Sequence, residues 1–253
     1  MWPAFVINMA QDTARLARAG AELDRAGVPW VRLEAVDGRA LSWEEVAQVY
    51  DIGANRRRAR HPLTRPEIGC YLSHIKAWKA IVAGDHQGGF VFEDDLLVTG
   101  DLAGVSEALA RDYGGWDIAK LFSLKPIALR GLPRDLVAGY RIGWPVRVPA
   151  TTLGYAITRA GAEQLLACVP PFFRPIDEDH KFFWDFDLSV TLVTPYPIKV
   201  GMQEAASGTV GAARRCAMQV DPRSAITRGW RGITYRAGYM AGLLRYRPGG
   251  SPK

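Results

Sequence analysis

The sequence predicts an α/β domain built on a mainly parallel sheet. Three observations lead there. Apolar runs of strand length alternate with segments of helical period through the first half of the chain. Two Ser/Thr-x-x-Glu capping boxes mark helix starts between those strands. Hydrophobic residues make up 48% of 253, enough for the core of one large domain or a domain with a small appendage.

The elements follow in order. PAFVIN (3–8) reads as a first buried strand. Residues 12–26 carry Leu16, Ala19, Leu23 and Ala26 at helical spacing, with Gly27 as the stop. WVRLEAV (30–36) alternates like a strand, and Asp37-Gly38 turns the chain. Ser42 to Glu45 opens a short helix. The basic stretch 51–62 has no clear period and reads as a loop. Thr64 to Glu67 starts a helix that runs to about Ala83, with Pro66 tolerated in its first turn. Residues 89–94 form the next strand, Asp101 caps a helix, and WDIAKLF (116–122) is another strand. Residues 125–150 are rich in Pro, Gly and basic residues and read as irregular. LGYAIT (153–158) is a strand followed by the helix RAGAEQLLACV, and 188–198 supplies one or two late strands.

Composition excludes several classes. Cys70, Cys168 and Cys216 are too few and too scattered for a disulfide framework or a zinc site. Four histidines argue against a His-rich metal cage, so a metal here would be a hard ion on oxygen ligands. No apolar run approaches the roughly 20 residues of a membrane-spanning helix. The opening MWPAFVINMAQD lacks the regions of a signal peptide, so the expectation is a soluble, cytoplasmic protein. The net charge of +6 resides in the tail: residues 212–253 hold nine Arg/Lys against one acid, Asp221. The division expected is a catalytic domain over 1–211 and a basic tail over 212–253. Such a tail suits an anionic partner, a membrane surface or nucleic acid.

Three constellations carry chemistry. In GGFVFEDDLLV, a buried strand runs into Glu93, Asp94 and Asp95. Strand alternation would put Glu93 and Asp95 on one side and Asp94 on the other, so that two carboxylates share one cation. A solvated strand-end turn is the plainer reading of any acidic triplet. On the helix from residue 66 to 81, Glu67, Tyr71, His74 and Trp78 fall on one face. That face either binds a base, ribose or sugar, or holds a capping box and a core histidine. In PIDEDHKFFWDFD (175–187), acids stand among aromatics, suited to stacking a sugar and orienting a hydroxyl, or to packing an amphipathic loop. No Walker-type phosphate loop and no nucleophile elbow occurs.

These pieces, in this order and spacing, resemble glycosyltransferase family 25, the bacterial lipooligosaccharide and lipopolysaccharide galactosyltransferases. The resemblance runs from FVINMAQDTARL through RLEAVDGRAL, LTRPEIGCYLSHIKAW, VFEDDLLV and TLGYAITRAGAEQLL, then the PID of 175–177, to QEAAS (203–207). Met9 departs from the usual leucine. The resemblance implies a GT-A-like nucleotide-sugar fold, a UDP-sugar donor, Mn²⁺ or Mg²⁺, and inverting transfer to a carbohydrate acceptor, with no nucleic acid expected. It implies Glu93 and Asp95 as metal ligands. It implies Asn8, Asp37, Glu67, Ser73, His74, Asp94, Gln203 and Ser207 as donor-site residues. Asp177 is the expected base, with Asp179 in reserve.

Two rivals remain at this stage: a nucleotidyltransferase using the same carboxylates, and a non-catalytic glycan-binding or scaffold protein. In the tail, Trp230, Ile233, Ala237, Met240, Ala241 and Leu244 share one helical face, with Arg228, Arg231 and Arg236 beside it. This pattern suits a helix lying on an anionic membrane beside a lipid-linked acceptor, or one packed on the catalytic domain.

Overall fold

The computed structural model describes residues 1–201 and 225–245. Its centre is an eight-stranded sheet in the order β2-β1-β3-β8-β5-β9-β7-β6. The strands are β1 (Ala4–Asn8), β2 (Trp30–Glu34), β3 (Gly88–Glu93), β5 (Ile118–Lys120), β6 (Arg134–Val137), β7 (Tyr140–Gly143), β8 (Gly154–Thr158) and β9 (Val190–Thr194). β1 pairs parallel with β2 and β3, and β5 with β9. β8 is antiparallel to both β3 and β5, and β7 to both β6 and β9. The sheet is therefore mainly parallel in strand direction, with β8 and β7 reversed. A separate antiparallel pair joins β4 (Leu96–Val98) to β10 (Ile198–Val200).

Both faces are covered. On β3, Phe90 and Phe92 face one apolar cluster while Val91 faces the other, as strand alternation requires. The first cluster lies under α1 (Thr13–Arg25) and α5 (Leu102–Arg111). The second lies under α4 (Arg65–Ala83) and α6 (Arg159–Cys168), through Ile68, Tyr71, Ile75, Trp78 and Leu165. Strands buried on both faces read as continuous apolar runs, which is why β3 and β8 are legible in sequence.

Helix starts follow the expected capping chemistry. Ser42 caps α2 (Trp43–Val49) and Thr64 caps α4, each with its Glu returning a bond to the cap amide. Asp101 accepts from the Gly104 amide at 2.8 Å and caps α5. Gly69 and Gly38 sit back to back: a Cβ on either would run into the other segment's backbone, so α4 lies directly against the 36–38 loop.

Three local expectations give way. Residues 52–58 form a helix, α3 (Ile52–Arg58), rather than a loop. Asp51 caps it, and buried Asn55 anchors it by donating to His61 O at 3.0 Å and Phe173 O at 2.8 Å. Two turns held by polar anchors leave no apolar period to read. Within 125–150, β6 and β7 form a hairpin turned at Gly139 (φ 82°). Both are short and partly exposed, β6 at the edge of the sheet, and carry little alternation. Finally, β3 ends at Glu93, and Asp94 and Asp95 occupy the turn into β4, so strand alternation does not set their directions.

The acidic-aromatic segment 175–187 forms α7 (Ile176–Lys181) and a 3-10 turn (Phe183–Phe186), whose Phe182 and Phe183 are buried as packing groups. The C-terminal helix, α8 (Ala225–Arg245), lies on this segment. Phe182 meets Tyr235 and Tyr239 edge-on, at ring separations of 5.1 and 5.4 Å. Tyr239 and Leu243 join the core, and Gly242 gives room for the Trp184 ring. The face read from sequence is the opposite one: Ile233, Met240 and Leu244 are exposed, 80% in the case of Leu244. The side chains of Arg228, Trp230 and Arg231 lie outside the described residues, as do Gln203 and Ser207. Among the described residues, no helix is long and apolar enough to cross a membrane.

Candidate active site

The carboxyl ends of β1, β2, β3 and β5 lie along one edge of the sheet, the edge at which open α/β folds hold ligands. Each ends on or beside a polar residue: Asn8, Glu34, Glu93 and Lys120. A cavity of about 310 Å³ opens there, lined by Asn8, Arg15, Asp37, Ser73 and the Glu93-Asp94-Asp95 turn among others.

Asp94 is held from two sides. Asn8 Nδ2 donates to one of its oxygens at 2.7 Å, and Arg15 Nη2 reaches the other at 2.6 Å. The same guanidinium stands 3.6 Å from Asp95. The Asn8 side chain is fixed in turn, donating to Asp12 O at 3.0 Å and accepting from Arg32 Nε at 3.2 Å. Arg15 projects from the first turn of α1. Its cation thus answers part of the repulsion between adjacent acids. On the opposite wall, the two oxygens of Asp37 accept from one edge of Arg39, Nε and Nη2, at 2.9 and 3.0 Å, which holds its carboxyl below the usual range. Ser73 Oγ accepts from the Val36 amide at 2.8 Å and donates to Gly69 O at 2.7 Å, clamping the loop that carries Asp37.

Glu93 is the pivot between cavity and core. Its carboxylate accepts from the Thr152 hydroxyl. Burial, then the charges of Asp95, Asp94 and Asp177, push its pKa up to about 7. Behind it lies a buried polar chain. Tyr155 OH accepts from Trp78 Nε1 at 2.9 Å and stands 2.9 Å from His74 Nδ1. The other ring nitrogen, His74 Nε2, stands 3.9 Å from Glu93. Burial and the nearby Lys120 hold His74 neutral, its pKa lowered to about 3.

Lys120 escaped the sequence reading. It is fully buried at the end of β5, donating to Thr151 O and bonded to His180 Nδ1, both at 2.7 Å. Burial lowers its pKa to about 7, against the pull of Asp177 and Glu93. The signal was a single lysine inside the apolar strand WDIAKLF. The pairing of Arg15 with Asp94 and Asp95 had no local signal, because its partners lie some eighty residues away.

The expected site residues therefore separate. Asn8, Asp37, Ser73, Glu93, Asp94 and Asp95 line one cavity. Glu67 and His74 do not: both are buried, Glu67 in the capping box with Thr64 and His74 one layer behind Glu93. The whole Glu67-Tyr71-His74-Trp78 face turns inward to the core, because the aromatic groups on it drive burial. Asp179 is likewise internal, paired with Arg174 Nε at 2.7 Å and accepting from Tyr71 OH at 2.6 Å. Of the acids on α7, Asp177 alone keeps access to solvent, and its charge reaches Glu93, Lys120 and Lys181.

Comparison with known proteins adds a family. Residues 1–121 match the model of glycosyltransferase family 25 (LPS biosynthesis protein). The chain is 31% identical over 217 residues to a mouse (Mus musculus) protein named inactive glycosyltransferase 25 family member 3, covering 76% of this chain and 35% of that one. It is 32% identical over 198 residues to a glycosyltransferase 25 family member of Anopheles gambiae, covering 72% and 31%. It is 29% identical over 190 residues to mouse procollagen galactosyltransferase 2, covering 69% and 29%. The chain thus spans about a third of the length of the curated relatives it matches.

Proposed function

The chain carries a glycosyltransferase family 25 domain, and from that premise we propose that it transfers a hexose, galactose from UDP-galactose, with inversion onto a carbohydrate hydroxyl. The acceptor proposed is a bacterial surface glycan of the lipopolysaccharide type. The observation that supports this is the Glu93-Asp94-Asp95 turn at the carboxyl ends of the parallel strands, opening onto one cavity with Asn8, Arg15 and Asp37.

Three carboxylates meeting at one cavity form a hard-oxygen donor set that fits Mn²⁺ or Mg²⁺, with Glu93 and Asp95 as the residues that would hold it. When bound, such an ion offsets the charge that develops on departing UDP. The chain's own residues do the rest. Asn8 and Arg15 hold Asp94 in one orientation at the cavity wall. The Ser73 clamp keeps Asp37 and its loop against the opposite wall, where a nucleoside would lie. Asp177 takes the proton of the acceptor hydroxyl as its oxygen bonds the anomeric carbon and the bond to UDP breaks on the far side. Asp179, locked in its ion pair, is not the base in this scheme.

A second reading rests on Arg15. Its guanidinium already stands against Asp94 and Asp95, so the chain carries an internal cation there, and a relative bears the name inactive. On that reading the domain binds a nucleotide or glycan without turnover. One experiment separates the two: UDP release from UDP-galactose with Mn²⁺ and a panel of oligosaccharide acceptors. Turnover that falls about 10²–10⁴-fold in Asp177→Asn, with UDP-galactose affinity kept, supports the transferase. Binding without release in the unaltered chain supports the second reading.

The same proposal places the protein at the cytoplasmic face of a membrane, where lipid-linked acceptors reside. What supports it is the outward apolar face of α8, with Ile233, Met240 and Leu244, within a basic tail.

A further inference from the structure

A second cavity, about 690 Å³, lies between α8 and the segments 123–128 and 146–150. Five of its lining residues are cations: Arg60, Lys125, Arg147, Lys181 and Arg236. None of its lining residues is acidic. Nor does any of the five form a salt bridge among the described residues, although exposed Arg side chains elsewhere do, as Arg58 does with Asp185. Gathering like charges around one concavity is unfavourable unless an anion offsets them.

The arrangement is built rather than accidental. Lys181 is half-buried at the back, its amine bonded to Tyr235 OH at 3.2 Å and standing 5.0 Å from the centre of the Tyr239 ring. Arg60 lies over the Tyr235 ring at 5.5 Å. These contacts fix two of the cations against α8 while leaving guanidinium edges and an ammonium facing the cavity. Burial lowers the pKa of Lys181; Glu178 and Asp177 on its own helix pull it back up, and Arg60 and Arg147 across the cavity push it down again.

The cavity also adjoins the proposed chemistry. Lys181 follows Asp177 by four residues on α7, one helical turn on the same face and about 6 Å along the axis. That is about the span of one sugar ring. Ala150 lines the cavity two residues before Thr152, whose hydroxyl bonds Glu93.

We propose that this cavity is an acceptor subsite that selects a saccharide bearing an oxyanion, a phosphate or a carboxylate, about one sugar away from the hydroxyl that reacts. The inference rests on the transferase reading for the word acceptor, and on the five cations for the anion. Arginine forks take phosphate and carboxylate oxygens pairwise, and Lys181 adds a point charge at the back.

The test uses the full chain and four probes, measured by calorimetric titration: glucose 6-phosphate, glucuronic acid, glucose, and phosphatidylglycerol vesicles. The two acidic sugars are expected to bind at least tenfold more tightly than glucose, with affinity falling as salt rises. Arg147→Gln and Lys181→Gln should each lose about tenfold of that preference, with UDP binding and melting temperature unchanged. Arg147 is exposed, so its variant reports even if Lys181→Gln disturbs the packing on α8. Equal binding of glucose and glucose 6-phosphate would overturn the inference and leave the transferase reading standing. So would Arg147-dependent binding to vesicles alone, which assigns the cations to a lipid headgroup. Acidic-sugar binding that needs Arg147 in a chain that never releases UDP keeps the subsite and removes the transferase.

Discussion

Glu93 is a carboxyl whose surroundings oppose its ionisation. Its pKa stands at about 7 against an ordinary 4.5, through burial first and neighbouring acids second. The folded state therefore binds its proton more tightly than the unfolded chain does. Stability from this group is fully present below about pH 4.5 and is lost as the pH rises through about 7. The side chain keeps 32% of its surface open, which moderates the effect. Glu93→Gln keeps a carbonyl to accept from Thr152 but cannot ionise. In metal-free buffer, the variant should melt above the unaltered protein at pH 8 and near it at pH 4.5. A gap that stays constant between those pH values would show that Glu93 ionises normally. At this same scale, Glu67, His74 and Asp179 each make a contact inside the fold, with a helix cap, a tyrosine and an arginine respectively.

Among the elements, α4 shows local sequence deciding local structure. Thr64, Pro66 and Glu67 start it where the capping box says, and Gly84 stands just past its end. Thr64→Ala should cost about 0.5–2 kcal/mol in urea unfolding. UDP-galactose affinity should not change, because Glu67 serves the cap and does not line the cavity; a parallel loss of affinity would put Glu67 back in the donor site. The C-terminal helix shows the opposite case. Its sequence contains two apolar stripes, one through Ile233, Met240 and Leu244, the other through Tyr235, Tyr239 and Leu243. The second packs inward because Phe182, between α7 and the 3-10 turn, and Trp184 in that turn meet its tyrosines. Leu243→Ala should lower stability by about 2–5 kcal/mol. Leu244→Ser should leave it within about 0.5 kcal/mol. If the outward stripe meets an anionic bilayer, Leu244→Ser should also weaken co-sedimentation with phosphatidylglycerol vesicles, and undiminished co-sedimentation would remove the membrane role.

Among the described residues, charge is partly sorted by sign, with Arg15 and Arg39 standing among the acids of the first cavity. The acids of the β3–β4 turn gather at the sheet edge, and a group of cations gathers where α8 covers α7. Asp177 stands between the two, half-buried, its charge felt by Glu93 on one side and Lys181 on the other. A donor that carries a diphosphate and an acceptor that carries an oxyanion would be held apart by this sorting, with the base at the join.

What the sequence alone determined here is what depends on neighbours along the chain. The strand β3 and its acidic end, the capped helices, the alternation that predicts an α/β sheet, and the family's motifs are all local patterns, set by side-chain period and by hydrogen bonds spanning a few residues. The tertiary structure alone decided which polar groups meet. Arg15 with Asp94, Tyr71 with Asp179, Lys120 with His180, and Arg60 with the Tyr235 ring are contacts between segments far apart in sequence. No period encodes them. They exist because a sheet brings strand ends to one edge, and because burial favours partners for the polar groups that arrive there.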